Sequence, residues 1–254
     1  IRDRLWVCTR DSLFTYNRVE DRLDYYYNLE GVRMSCVTED SAGNLYVGTM
    51  NNGLYMIDHN KKWLNYFPKK DITCIYEDSK KSIWVGTKDD GLFRLDRNGG
   101  ITNYGTAPHQ NMLSSSYVRC VVEDNLGNYW IGTFKGLDKL DVTTGTFTHY
   151  SKDNKPYSLS NSSIICMMKD RQGTFWIGTY YGGVNLFNPD YEIYTYYYPD
   201  ESQKGKLTSP FAGRMTEDSN GGIWIATEGG GVNYLDKKTK TFTEYKQDLS
   251  LIHI

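Results

Sequence analysis

An aromatic residue followed by Val or Ile, a small residue and Thr returns six times along this chain, at Trp6, Tyr46, Trp84, Trp130, Trp176 and Trp224. The steps between copies are 40, 38, 46, 46 and 48 residues. An Asp stands six positions before five of these aromatics, at Asp40, Asp78, Asp124, Asp170 and Asp218. A Tyr follows at +20 in five copies (Tyr26, Tyr66, Tyr104, Tyr150 and Tyr196) and at +21 in the last (Tyr245). Three landmarks held in register at a period of roughly 40 to 50 residues restrict the fold to propeller or solenoid arrays.

The second copy shows what one period contains. Strand a spans Met34–Glu39, the turn Asp40–Asn44 follows, and strand b spans Leu45–Thr49. The turn Asn51-Asn52-Gly53 leads to strand c at Leu54–Asp58, and strand d is Trp63–Phe67. Side chains alternate with period two, and Gly43 and Gly53 fall where left-handed turn geometry costs least. Val, Ile, Tyr, Phe, Trp and Thr fill the short apolar runs, as strands require, and sustained apolar spacing at 3.6 residues is absent, which excludes extensive helix. Four antiparallel strands per period make one propeller blade. The expected fold is therefore all-β: a β-propeller of four-stranded antiparallel blades over residues 1–248, with five full repeats and one partial. It comprises six b-c-d units and five a strands. Ile1–Thr9 enters in mid-repeat and reads as a truncated copy. Leu249–Ile254 (LSLIHI) matches the in-frame translation of a transposase adapter and reads as a non-native tail.

The net charge of -2 gives no reason to expect nucleic acid or an anionic membrane as partner. Of the five cysteines, Cys36, Cys74, Cys120 and Cys166 each lie four residues before the repeat Asp, where Arg214 stands in the last copy. They are one inward strand position inherited by repetition, small buried thiols in place of a disulfide or metal site. Cys8 takes the place of Gly48, Gly86, Gly132, Gly178 and Ala226. The repeat aromatics are expected to wedge between neighbouring blades, the Asp to accept turn amides, and the glycine to leave room for the adjacent blade.

The pattern E-D-x-x-G-N-x-W-[VI]-G-T-x-x-x-G-[LV]-x-x-[LF]-D, which Glu123–Asp141 follows apart from a b–c turn one residue shorter, resembles the two-component regulator propeller repeat over essentially residues 1–248. The resemblance implies a periplasmic sensor region of a hybrid two-component system of gut Bacteroidetes. Paired seven-bladed propellers would there precede a β-sandwich, a membrane helix, a histidine kinase, a receiver and a DNA-binding module. It implies an oligosaccharide ligand and control of glycan-utilisation genes. The implied partners are a neighbouring propeller and the β-sandwich domain, with a homodimer in the parent receptor. Neither a cofactor nor a metal is implied, and no catalysis by this segment. Departures from the pattern sit at Cys8 and Ser12 in the first copy, and at Ala226 and Gly229–Gly231 in the last.

The repeats encode a scaffold, so recognition is expected where they differ, and binding residues concentrate on loops. In a propeller the b–c turns and the d-to-a crossovers share one face. The candidates are Arg10 with Asp11; Met50, Asn51 and Asn52; Lys88, Asp89 and Asp90; Phe134 and Lys135; Tyr180 and Tyr181; and Glu228. Aromatic rings can cover a sugar, and Asn, Asp, Glu, Lys and Arg can match its hydroxyl or acidic groups. The long crossovers 105–117, 151–163 and 197–211 add His109, Gln110 and Asn161. A protein–protein scaffold is the alternative reading. A propeller enzyme is the weakest, since the four histidines do not cluster and glycosidases need two placed carboxylates.

Overall fold

The computed structural model describes residues 4–105, 111–153, 158–188, 193–200 and 205–246, and every regular element among them is a β-strand. The chain divides into two compact units, Ile1–Glu123 and Asp124–Ile254. In the first, β1 (Trp6–Cys8), β2 (Ser12–Asn17) and β3 (Arg22–Asn28) form a three-stranded sheet. Two four-stranded sheets follow: β4 (Met34–Glu39), β5 (Leu45–Thr49), β6 (Leu54–Ile57) and β7 (Trp63–Tyr66), then β8 (Ile72–Glu77), β9 (Ile83–Thr87), β10 (Leu92–Leu95) and β11 (Ile101–Tyr104). The last strand of this unit is β12 (Val118–Glu123).

The second unit contains β13 (Tyr129–Thr133), β14 (Leu137–Leu140) and β15 (Phe147–Tyr150), then β16 (Ile164–Lys169), β17 (Phe175–Thr179), β18 (Gly183–Asn188) and β19 (Ile193–Tyr197). It continues with β20 (Ala212–Glu217), β21 (Ile223–Thr227), β22 (Gly231–Asp236) and β23 (Thr241–Tyr245). Within each unit, strands that follow one another in the same sheet pair antiparallel. Among the described residues the 23 strands are the expected six b-c-d triplets and five a strands. In the second copy, strands c and d each stop one residue early. Asp58 leaves β6 because its carboxylate accepts the turn amides of Asn60 and Lys62, and Phe67 leaves β7 because its φ is 57°.

The repeat Asp ties turn to core. One carboxylate oxygen accepts the amides at +2 and +4, as Asp124 does from Leu126 and Asn128 at 2.9 and 2.8 Å. The other oxygen accepts the indole N–H at +6, in Asp78–Trp84 (2.9 Å), Asp124–Trp130 (3.1 Å), Asp170–Trp176 (3.0 Å) and Asp218–Trp224 (3.4 Å). That second bond fixes the six-residue spacing. At Tyr46, which has no indole, the outer oxygen of Asp40 accepts Asn44 Nδ2, as that of Asp124 also accepts Asn128 Nδ2 beside its indole. The late Tyr lies against the aromatic of its own copy, for example Tyr104 on Trp84 at 5.4 Å and Tyr150 on Trp130 at 5.5 Å. In the fifth copy the ring on Trp176 is Tyr197, one position beyond the expected Tyr196, because the c–d turn is one residue longer there: Val184 faces Tyr197, whereas Leu54 faces Tyr66. The fourth copy has the same longer turn but a shorter b–c turn, so Tyr150 stays at +20.

Cores lie between blades. Trp130 meets Phe175 and Phe187 of the following blade at 5.6 and 4.7 Å, and Trp176 packs with Ala212, Ile223, Ile225 and Leu235 of the next. The repeat glycine serves the same contact. A Cβ on Gly48 would stand 2.5 Å from Cys36 Sγ and 2.7 Å from Ile72, and one on Gly86 2.5 Å from Cys74 Sγ and 2.9 Å from Val118. Cysteine is thus the small residue that fits opposite a glycine, and burial pushes the Cys166 thiol up to about 12, where it is inert.

Side chains also latch blade to blade. Ser41 donates its amide and its hydroxyl to Glu77 of the next blade, and Ser79 does the same to Glu123. Where the acid is replaced by Lys169, its ammonium donates to Asn125 at 3.1 Å. In the last pair, Lys237 bridges Asp170 and Glu217, the latter at 3.2 Å.

Two outcomes follow from these contacts. Trp130→Ala removes a ring packed in the next blade and strips a donor from buried Asp124, and lowers unfolding free energy by about 3–5 kcal/mol in thermal or urea unfolding. Burial pushes the Asp170 carboxyl up, but bonds from Lys237, Trp176 and Thr174 outweigh it and hold the pKa below its ordinary 3.8. The stabilisation is therefore complete above that value and is lost as pH falls through the lower folded pKa. Melting-point profiles should show acid sensitivity there that Lys237→Met reduces.

Candidate ligand-binding face

Where strand b ends, the first residue of the b–c turn donates its amide to the residue that leads into strand a. Met50 bonds Arg33 O (2.8 Å), Lys88 bonds Asp71 O (3.1 Å), Tyr180 bonds Ser163 O (2.8 Å) and Glu228 bonds Phe211 O (3.1 Å). The turns also reach the next crossover, with Gly53 N–H on Lys70 O and Gly183 N–H on Pro210 O. Within each unit the b–c turns and crossovers thus share one face, as propeller topology requires.

The described parts of the long crossovers, in which functional or mobile loops are expected, are pinned. Leu113, Leu159 and Leu207 are buried hydrophobic anchors. The fully buried Asn185 accepts the Ser160 amide (2.9 Å) and donates to its hydroxyl (2.8 Å), and Asn233 bonds Thr208 in the same way. At the matching strand position in the fourth copy stands the buried carboxylate of Asp138, 2.7 Å from His149 Nδ1. Asn161 accepts the Ser163 amide at 2.8 Å and caps its own loop. His109 and Gln110 lie outside the described residues.

In the first unit the candidates sit on separate turns. Arg10 contributes its carbonyl to the Met34 amide while its side chain is exposed. Asn51, at φ 63°, donates its amide to Asp71, and Asn52 receives Asn65 Nδ2 on its carbonyl. Asp90 pairs with Lys70 at 2.7 Å, and Lys88 and Asp89 project into solvent. In the second unit Phe134 is half exposed and Lys135 is exposed. Here two candidates are brought together by a residue that the sequence reading did not single out. Tyr180 and Tyr181 meet edge to face at 4.7 Å, and both contact Phe211, at 5.5 and 4.0 Å. Glu228 joins them through its amide bond to the Phe211 carbonyl. Phe211 lies at the end of a crossover flagged for its length, and its place immediately before strand a was the available signal.

Tyr181 carries strain. Its φ is 61°, and the equivalent turn positions in two other copies hold Asn51 (φ 63°) and Gly229 (φ 72°), residue types that accept left-handed backbone. A bulky aromatic there is an outlier of the kind that gathers at binding sites. The ring is 56% exposed, so burial does not hold it in place. The cluster offers two exposed phenol rings, a surface that can pack on a flat ligand face and exchange hydrogen bonds with its hydroxyls, and the exposed Glu228 is tied to the same crossover by its backbone amide. Among the described residues no group of three or more His, Cys, Asp or Glu side chains is placed to hold a metal.

The family model for the two component regulator propeller matches residues 66–89, 112–135, 158–181 and 206–229. Each match runs from a crossover or outer strand through strands a and b. No curated protein shows significant similarity to the chain. Among solved structures, the extracellular domain of a proposed hybrid two component system from B. thetaiotaomicron is 18% identical, with a TM-score of 0.51, over 96% of this chain and 41% of that one. This chain therefore spans about two-fifths of that domain. A virginiamycin B lyase from Staphylococcus aureus is 14% identical with a TM-score of 0.75 over 98% and 82% of the two chains. PorZ, a surface component of the type-IX secretion system of Porphyromonas gingivalis, is 15% identical with a TM-score of 0.72 over 91% and 36%. These likenesses are of fold, and the fold is the β-propeller.

Relief of strain and loss of ring contacts should nearly cancel at Tyr181. Left-handed backbone costs about 1–2 kcal/mol in a non-glycine residue, and aromatic pairs contribute about 0.5–1.5 kcal/mol. Tyr181→Gly should therefore unfold within about 1 kcal/mol of the parent, measured by urea titration.

Proposed function

We propose that this chain, which carries two component regulator propeller repeats, serves as the extracytoplasmic sensor propeller of a hybrid two-component receptor and binds an oligosaccharide on its b–c turns. The carrying observation is Tyr181: a solvent-exposed aromatic held at φ 61° against Tyr180 and Phe211, where the scaffold alone would be served by Asn or Gly. Two exposed phenols set edge to face, with Glu228 on the neighbouring b–c turn, suit the mixed apolar and hydroxyl faces of a sugar ring. Lys88, Asp89, Asn51, Asn52, Arg10, Phe134 and Lys135 are secondary contacts on the loops of their own units. The likeness to the extracellular domain of a hybrid two component system supports the location and the sensor role.

The reading is of recognition without turnover, in the periplasm, with a membrane-spanning kinase outside this segment. No cofactor or nucleic acid is involved. A ligand signals by binding more tightly to one arrangement of the propeller and its partner domains than to another, since equal affinity for both would shift nothing. Those partners are a neighbouring propeller and a β-sandwich in a homodimeric receptor, and the output is control of glycan-utilisation genes.

Calorimetry of the intact receptor against an oligosaccharide panel tests the reading. A ligand should appear whose affinity falls at least about tenfold in the Tyr180→Ala, Tyr181→Gly double variant, the loss typical of central aromatic contacts. Undiminished binding by that variant would remove the cluster from the site, and consumption of the ligand would replace the sensor with an enzyme.

A further inference from the structure

The second copy is the one full repeat whose aromatic is not Trp, and a cleft opens where the indole would be. It measures about 410 Å³ and is walled by Tyr46, Met56 and Tyr66 of one blade and Ile83 and Leu95 of the next. Asp40, Glu77, Lys81, Asp96 and Arg97 stand at its rim. Strand register identifies the missing group. Ile83 and Leu95 occupy the positions of Phe175 and Phe187, the two rings that enclose the indole of Trp130. Around Trp176 the same two positions hold Ile223 and Leu235, so walls of this type also enclose an indole, and what the second copy lacks is the indole itself.

The polar groups that serve an indole elsewhere are retained. Asp40 matches Asp124, whose outer oxygen accepts both Asn128 Nδ2 and the Trp130 indole, each at 3.1 Å. At Asp40 that oxygen receives Asn44 Nδ2 at 2.9 Å, which leaves the direction used by the indole. Arg97 matches Lys237, whose ammonium lies over the Trp176 ring at 5.5 Å. Burial, and then the charge of Asp40, push the Tyr46 phenol up to about 12, so it remains a neutral ring in the wall.

We infer that this cleft binds a flat, N–H-bearing heteroaromatic ligand of indole size, which donates its N–H to Asp40 and lies beneath the Arg97 guanidinium. The ligand supplies to the second blade what tryptophan supplies to the others. The site lies among the a–b and c–d turns, at the other end of the blade from the b–c turns assigned to the oligosaccharide, and does not depend on that assignment.

Indole itself is the probe, titrated into the 254-residue chain with ligand-observed saturation-transfer NMR and backbone shift mapping. Binding should be on the order of millimolar or tighter, as expected of so small a ligand, with shifts at Tyr46, Ile83 and Leu95. Tyr46→Trp fills the slot from within and should weaken indole binding at least about tenfold while raising the melting point; Leu95→Phe plugs it from the next blade and should do the same. 1-Methylindole, which keeps the ring and loses the donor, should bind about tenfold more weakly, the loss expected for one hydrogen bond to a carboxylate. Absence of binding at millimolar indole, undiminished binding by both plugged variants, or equal binding of 1-methylindole would each overturn the assignment.

Discussion

A single carboxylate per blade joins local structure to tertiary packing in this chain. The Asp at the end of strand a accepts two amides from the turn that follows it, and thereby fixes the a–b hairpin. Its second oxygen then takes the N–H of an indole buried in the next blade's face, where an unmet donor would cost about 1–3 kcal/mol. Turn geometry and interblade packing therefore cannot change independently. The constant spacing of six residues between Asp and Trp is the sequence trace of that coupling.

Where one member of a contact changes, its partner changes with it. Lys169 replaces the latching Glu, and it meets Asn125, an acceptor, where Ser41 and Ser79 were donors. Gly178 lies opposite Cys166 with no space for a Cβ, whereas in the last copy Ala226 is exposed and Arg214 takes the cysteine position. That blade also has the longest Asp–indole bond, 3.4 Å, and a Trp224 that is only partly buried. The repeat is conserved as a set of contacts more than as a set of letters.

This explains what could be read in advance. Strands, turns, buried tryptophans and the amide-accepting Asp recur with the period, so one copy interprets the others. Contacts between copies leave weaker traces. The Ser–Glu latches join residues 36 and 44 positions apart and look like ordinary surface polar residues in the sequence. Tyr197 replaced Tyr196 because turn length, which periodic counting averages over, decides which side chain faces Trp176. Phe211 was hidden for a related reason: it belongs to a crossover, and only its distance to Tyr181 in the folded blade reveals the cluster. Asp138 could have been suspected from Asn185 and Asn233, which hold the same strand position.

The same division bears on function. In the second to fifth copies strand b is buried throughout, and Gly48, Gly86 and Gly178 have no room for a methyl group, so apart from the cleft beside Tyr46 the packing between blades leaves no space for a ligand. Turns can adapt to one, because their backbone is already satisfied by Asp carboxylates and crossover carbonyls and their side chains face water. A strained Tyr181 is tolerated since Phe211 and the crossover beneath it are anchored by buried Leu207 and Asn233. The rigidity that silences most of the sequence is what allows a few turn residues to hold a costly conformation, and a costly conformation kept in the absence of burial marks a position maintained for something other than folding.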